Sequence, residues 1–200
     1  MRTPQDFRRE NVKELFDKIL KDNKTKLLPR SISINESIDS DFTSVSFSLD
    51  MVSEKETRTY NFIDIEGKGF VDAVFTTCYE EFVEPFPSIK NLNLVDLIVK
   101  PIFSMSMKES GTDARTDIIF RVEIKNHGLS EFSARSRSIV HASFQVMMEA
   151  FQFYINCDRT FHRLGACLED ANIRHRGDTA QACLSDLAKL TTVNTYERKR

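Results

Sequence analysis

The sequence predicts an α+β fold: two pseudo-symmetric βββα units, each an antiparallel three-stranded sheet packed on a helix, with added N- and C-terminal helices. Three observations predict it. Apolar and polar residues alternate in two separate regions, an amphipathic helical pattern follows each region, and the two helical patterns match each other in sequence.

The first element is a helix over residues 4–22. Thr3 is placed to cap it, Pro4 sits where a missing N–H costs nothing, and Asp6 suits the positive helix end. Val12, Leu15, Phe16, Ile19 and Leu20 then recur at helical spacing. Beyond Leu27 the period changes. Leu27 to Ile34 is a weak strand candidate. Val45, Phe47, Leu49 and Met51 alternate with Ser44, Ser46, Ser48 and Asp50, as in a strand with one wet face, and Thr57 to Ile65 is a further strand. Val71, Val74, Phe75, Cys78, Tyr79, Phe82 and Val83 form an amphipathic helix, which Pro85 and Pro87 stop.

The same order recurs downstream. Leu94 to Phe103 reads as a strand, and Ile118, Phe120, Val122 and Ile124 alternate with charged residues. Asn126-His127-Gly128 is a turn, and residues 130–137 return as a strand. Val140, Phe144, Met147, Met148, Phe151, Tyr154 and Ile155 make the second helix, its methionines read as core filling. Superposing Gly69 on Ser138 without gaps matches Val71 with Val140, Ala73 with Ala142, Phe75 with Phe144, Glu80 with Glu149 and Phe82 with Phe151. Such identity marks two copies of one supersecondary unit, which should pack about a pseudo-two-fold axis. Further helix is expected around Phe161 to Ala171. After a break at Gly177-Asp178 a last helix, capped by Asp178, carries Cys183, Leu184, Leu187 and Leu190. The expected organisation is an N-terminal helix over 1–26, a core of two repeats over 27–88 and 89–157, and a helical extension over 158–200.

Composition narrows the function. A formal charge of -2 supplies no field to gather a polyanion, so nucleic acid is not an expected partner. No apolar run approaches a membrane span and the N-terminus carries no signal-type segment, which predicts a cytoplasmic protein with reduced cysteines. Cys157, His162, Cys167, His175 and Cys183 lack metal-site spacing, so neither a metal nor another cofactor is expected.

Several segments together resemble a known family. Glu66-Gly67-Lys68-Gly69-Phe70-Val71-Asp72-Ala73 resembles the Gly-x-Gly-Pro-Val-Asp-Ala signature of the C-terminal allosteric domain of 2-isopropylmalate and citramalate synthases. Ser110-Gly111-Thr112-Asp113-Ala114 resembles its Gly-Thr-Asp-Ala loop. Ser138-Ile139-Val140-His141-Ala142-Ser143 resembles its second helix start, and Tyr154-Ile155-Asn156 its closing end. The order and approximate spacing agree over about residues 27–157. The resemblance implies a domain of two βββα units that dimerises and binds an end-product amino acid as feedback inhibitor. It implies no catalysis. The family's chemistry belongs to a separate (β/α)₈ barrel of about 250 residues, with a His-x-His pair and an Arg-Asp-Gly motif. Neither occurs here.

The effector residues expected are Gly67, Gly69, Val71, Asp72 and Ala73 at the first helix start, Gly111, Thr112, Asp113 and Ala114 in the loop, and Ser138, Ile139 and Ala142 at the second helix start. At the first, free N–H groups and the positive helix end suit a carboxylate, and Asp72 suits an ammonium group. The plainer alternative is a tight turn whose Asp72 complements the helix dipole. At the second, Ser138 stands where the family carries Asp, after Arg135 and Arg137; this departure implies a different effector or a lost pocket. Expected partners are a second copy, a small amino acid, and a separate synthase subunit. A non-binding dimerisation scaffold and a detached piece of a synthase are the competing readings.

Overall fold

The computed structural model describes residues 4–101 and 115–196. Helix α1 (Pro4–Ile19) leads through a 3-10 turn (Lys21–Asn23) into strands β1 (Lys26–Glu36), β2 (Thr43–Val52) and β3 (Thr57–Gly67), then helix α2 (Phe70–Val83). A second 3-10 turn (Pro87–Asn91) opens β4 (Leu92–Pro101), β5 (Thr116–Ile124) and β6 (Gly128–Ser136), followed by α3 (Ile139–Ile173) and α4 (Gly177–Leu190). The two sheets, in orders β1-β2-β3 and β4-β5-β6, are wholly antiparallel. This is the predicted α+β arrangement of two βββα units with helices added at both ends.

The alternation read in the sequence faces the core as expected. In β2, Val45, Phe47 and Leu49 are buried; in β5, Ile118, Phe120, Val122 and Ile124 are. Met147 and Met148 lie in the core. Asn126 and Gly128 adopt positive φ at the β5–β6 turn, the conformation Asn and Gly tolerate best. Thr3, the expected cap of α1, lies outside the described residues.

The repeat is visible in the packing. Thr43 faces Gly67 across β2 and β3, and Thr116 faces Ser136 across β5 and β6. Gly67 and Ser136 are equivalent, so Thr43 matches Thr116 and Phe47 matches Phe120. Phe75 of α2 meets Phe120 with ring centroids 6.1 Å apart, and its equivalent Phe144 of α3 meets Phe47 at 5.5 Å. Each repeat helix therefore touches the central strand of the other repeat. Phe82 and Phe151, themselves equivalent, touch each other at 6.1 Å. Residues that contact their own equivalents mark a pseudo-two-fold axis.

The C-terminal half departs from the expected boundaries. The second repeat helix does not stop near residue 155: α3 runs unbroken to Ile173 and crosses the division expected at 157/158. Asn156, Asp158 and Thr160 are buried in it, and they interrupt the apolar stripe that would have signalled continuity. Each has a partner. Asn156 Oδ1 accepts from the Thr25 N–H (2.8 Å) while its Nδ2 donates to the Thr25 carbonyl (2.8 Å). Asp158 accepts from the Ser88 N–H (3.2 Å), and the Thr160 hydroxyl donates to the Asn156 carbonyl (2.7 Å). Gln152 also accepts from the Leu27 N–H (2.9 Å), so α3 holds the start of β1 with side chains where a fourth strand would have held it.

Helix α4 is not capped by Asp178. Arg176 is the N-cap, with no side-chain cap bond, and Asp178 lies in the first turn, where it complements the helix dipole. The terminal helices bury part of their apolar faces within the chain. Val12, Leu15 and Phe16 of α1 are buried, Phe16 against Phe153 (5.4 Å), and Cys183 and Leu190 of α4 are buried beside α3. Among the described residues, no helix is long and apolar enough to cross a membrane.

Candidate functional site

The two helix starts singled out in the sequence are built differently. At the first, β3 ends at Gly67 and α2 begins at Phe70, so the chain turns sharply from sheet to helix. The turn is tight because Gly67 lies against Ala73. A Cβ on Gly67 would come within 2.7 Å of the Ala73 nitrogen and 2.8 Å of its Cβ. Gly67→Ala should therefore cost about 1–3 kcal/mol in urea denaturation, as overpacking does, whereas Gly69→Ala should cost under about 1 kcal/mol. Gly69 is the N-cap, its backbone is extended, and nothing lies within 4 Å of the position a Cβ would take. No side chain caps α2 there. The first intrahelical bond runs from the Ala73 N–H to the Gly69 carbonyl (3.0 Å), so the Phe70, Val71 and Asp72 N–H groups precede the helical ladder. Asp72 is exposed and its Oδ2 accepts from the Lys68 N–H at 3.1 Å. That bond is a local job for Asp72: it ties the carboxylate across the turn beside the open helix end. Val71 is half-buried and Ala73 fully buried.

At the second start, Ser138 caps α3 as a serine should, its Oγ accepting from the His141 N–H at 3.2 Å. The Ser138 N–H in turn donates to Ser136 Oγ (3.2 Å). Ala142 is buried like its equivalent Ala73, while Ile139 is 44% exposed. The charge expected from Arg135 is offset. It faces Asp117 across β5 and β6 and donates to that carboxylate at 2.6 and 3.1 Å, which holds the Asp117 carboxyl below its usual range.

Gly111, Thr112, Asp113 and Ala114 lie outside the described residues. Each helix start belongs to its own repeat. Among the described residues no group of three or more His, Cys, Asp and Glu side chains could hold a metal.

Neither a protein-family model nor a curated protein matches the chain.

Clefts lie away from the helix starts, among them the following two. One, of about 490 Å³, opens between α1, α3 and the start of β1; Phe16, Phe132 and Phe153 form its floor, with Lys13, Lys26 and Glu149 at its rim. Asn156 lines it while holding Thr25. A polar residue between Phe153 and Cys157 on an apolar stripe was the one sequence signal for this region. The other, of about 360 Å³, lies among α1, α3 and α4 and contains Cys167 and Cys183. That pairing had no sequence signal, because it depends on how α4 folds back along α3.

Proposed function

We propose that the chain is a regulatory module without catalytic machinery, which takes a small, branched-chain-type amino acid at the start of α2. The observation that carries this reading is the contrast between the helix starts. At α2 the end is uncapped, open beside Gly69 and flanked by a carboxylate; at α3 a serine closes the end. The effector carboxylate sits against the N–H groups of Phe70 to Asp72, and Asp72 or Asp113 holds the ammonium group. The resemblance supports the same choice, since its first motif falls on this turn and the fold it implies is the fold observed.

Calorimetric titration with leucine, isoleucine, valine and lysine tests the reading. One of these should bind, and removing the charge of the aspartate that holds the ammonium group, by Asp72→Asn or Asp113→Asn, should weaken it about ten- to more than a hundredfold, since a charge-assisted hydrogen bond contributes about 1.5–3 kcal/mol. Asn keeps an oxygen to accept from the Lys68 N–H, so stability should stay nearly unchanged. If a ligand binds and neither Asp72→Asn nor Asp113→Asn weakens it, the seat lies elsewhere. If none binds at millimolar concentration, the scaffold reading replaces this one.

The module acts as a homodimer in the cytoplasm and regulates a separate synthase subunit. Among the described residues strands β3 and β4 are sheet edges that carry exposed Ile63, Val95 and Val99, and edges of this kind are surfaces on which a second copy can add. Light scattering at micromolar concentration should give twice the chain mass; a strict monomer contradicts the dimer.

A further inference from the structure

The hairpin of α3 and α4 brings together two cysteines that the regulatory reading does not use. Cys167 Sγ and Cys183 Sγ lie 3.1 Å apart, although 16 positions separate them in the chain. Cys167 is exposed and Cys183 buried, both at the edge of the 360 Å³ cleft. Lys18 and Arg163 line the same cleft, with side chains 60% and 43% exposed. The hairpin is firmly registered. The Arg176 N–H donates to the Ala171 carbonyl (2.8 Å), and Asp186 of α4 binds Lys18 of α1 (2.6 Å) and Lys189 (3.0 Å). Burial works against the Asp186 charge, but these two lysines outweigh it and hold the carboxyl below its usual range.

We propose that Cys167 and Cys183 form a redox-modification site, where a small disulfide such as glutathione disulfide oxidises them to a reversible Sγ–Sγ bond stapling α4 to α3. A bond length of about 2.05 Å requires the sulphurs to close by about 1 Å, a shift within reach of rotamer adjustment. The accessible Cys167 thiolate attacks one sulphur of the oxidant and releases the first small thiol. Cys183 then loses its proton, attacks the Cys167 sulphur of the mixed disulfide and displaces the second small thiol. Two protein thiols are oxidised, one disulfide is reduced to two thiols, and protons balance. The order of attack follows exposure. Burial, with Cys167 next, pushes the Cys183 thiol up to about 11, so Cys183 is not the first attacker, and it resolves the mixed disulfide because its sulphur already lies 3.1 Å from that of Cys167. Lys18 and Arg163 at the cleft are paired with Asp186 (2.6 Å) and Glu54 (3.2 Å), so access to Cys167 comes from its exposure and not from a cationic field. Cys78 and Cys157 are fully buried, and burial pushes both thiols far up, so they serve as unreactive internal controls.

The test uses the full chain, reduced, freed of reductant, exposed to glutathione disulfide, alkylated and digested with trypsin. The expected product links the peptides Leu164–Arg174 and Gly177–Lys189 within one chain, while titratable thiols fall from four to two. Closing a loop of about 15 residues should raise Tm by about 6–12 °C, reversed by dithiothreitol. In Cys183→Ser the small thiol should remain on Cys167 as a mixed disulfide. Four surviving thiols, a lasting mixed disulfide on the wild-type chain, a link between chains, or a link without a Tm rise would each overturn the proposal.

Discussion

Replacing Phe151 with alanine should cost about 3–5 kcal/mol, a large share of the roughly 5–15 kcal/mol that stabilises a typical domain. Phe151 is fully buried. Its ring meets Phe75 at 5.3 Å and Phe82 at 6.1 Å, so it touches both its own equivalent and another residue of the first repeat helix. Truncation leaves a cavity on the pseudo-two-fold axis, where neither repeat can relax without moving the other. Urea denaturation gives the cost, and Phe7→Ala, at an exposed position of α1, should stay within about 0.5 kcal/mol of wild type. Phe82→Ala should resemble Phe151→Ala, and the double variant should fall short of the sum by about 0.5–1.5 kcal/mol, the worth of an aromatic pair. A cost below about 1 kcal/mol for Phe151→Ala contradicts a shared axis core.

Asn156→Ala should cost about 2–6 kcal/mol. Its side chain satisfies both the N–H and the carbonyl of Thr25, a buried residue, and each backbone group left unpaired costs about 1–3 kcal/mol. Denaturation measures the total. Amide hydrogen exchange at Thr25 locates it, since that N–H should exchange faster in the variant than neighbouring β2 amides do. Unchanged protection at Thr25 would contradict the role of Asn156 in holding that N–H.

The repeat was legible because its signals are local. Val45, Phe47 and Leu49 alternate in β2 as Ile118, Phe120 and Val122 do in β5, and the matched pairs Phe75/Phe144 and Phe82/Phe151 needed no three-dimensional information. What was not legible depends on register between distant segments. The length of α3 was hidden because Asn156, Asp158 and Thr160 look like a break until their partners Thr25, Ser88 and the Asn156 carbonyl are known. Arg135 read as a free charge until strand pairing set it opposite Asp117. At the candidate site the sequence located the α2 turn and the Ser138 cap. The Gly67–Ala73 approach and the Asp72–Lys68 bond rest on where the helix meets β3, which no single-strand pattern encodes.

Chemical-shift mapping of backbone amides during titration with leucine and isoleucine tests the regulatory reading most directly. The reading predicts that the largest, saturable shifts fall on the Phe70, Val71 and Asp72 amides, and that removing the charge of the aspartate that holds the ammonium group, by Asp72→Asn or Asp113→Asn, flattens all three. Shifts centred instead on Lys13, Thr25 and Phe132 would place the effector in the aromatic-floored cleft between α1 and α3, and the absence of any shift at millimolar ligand would contradict effector binding altogether.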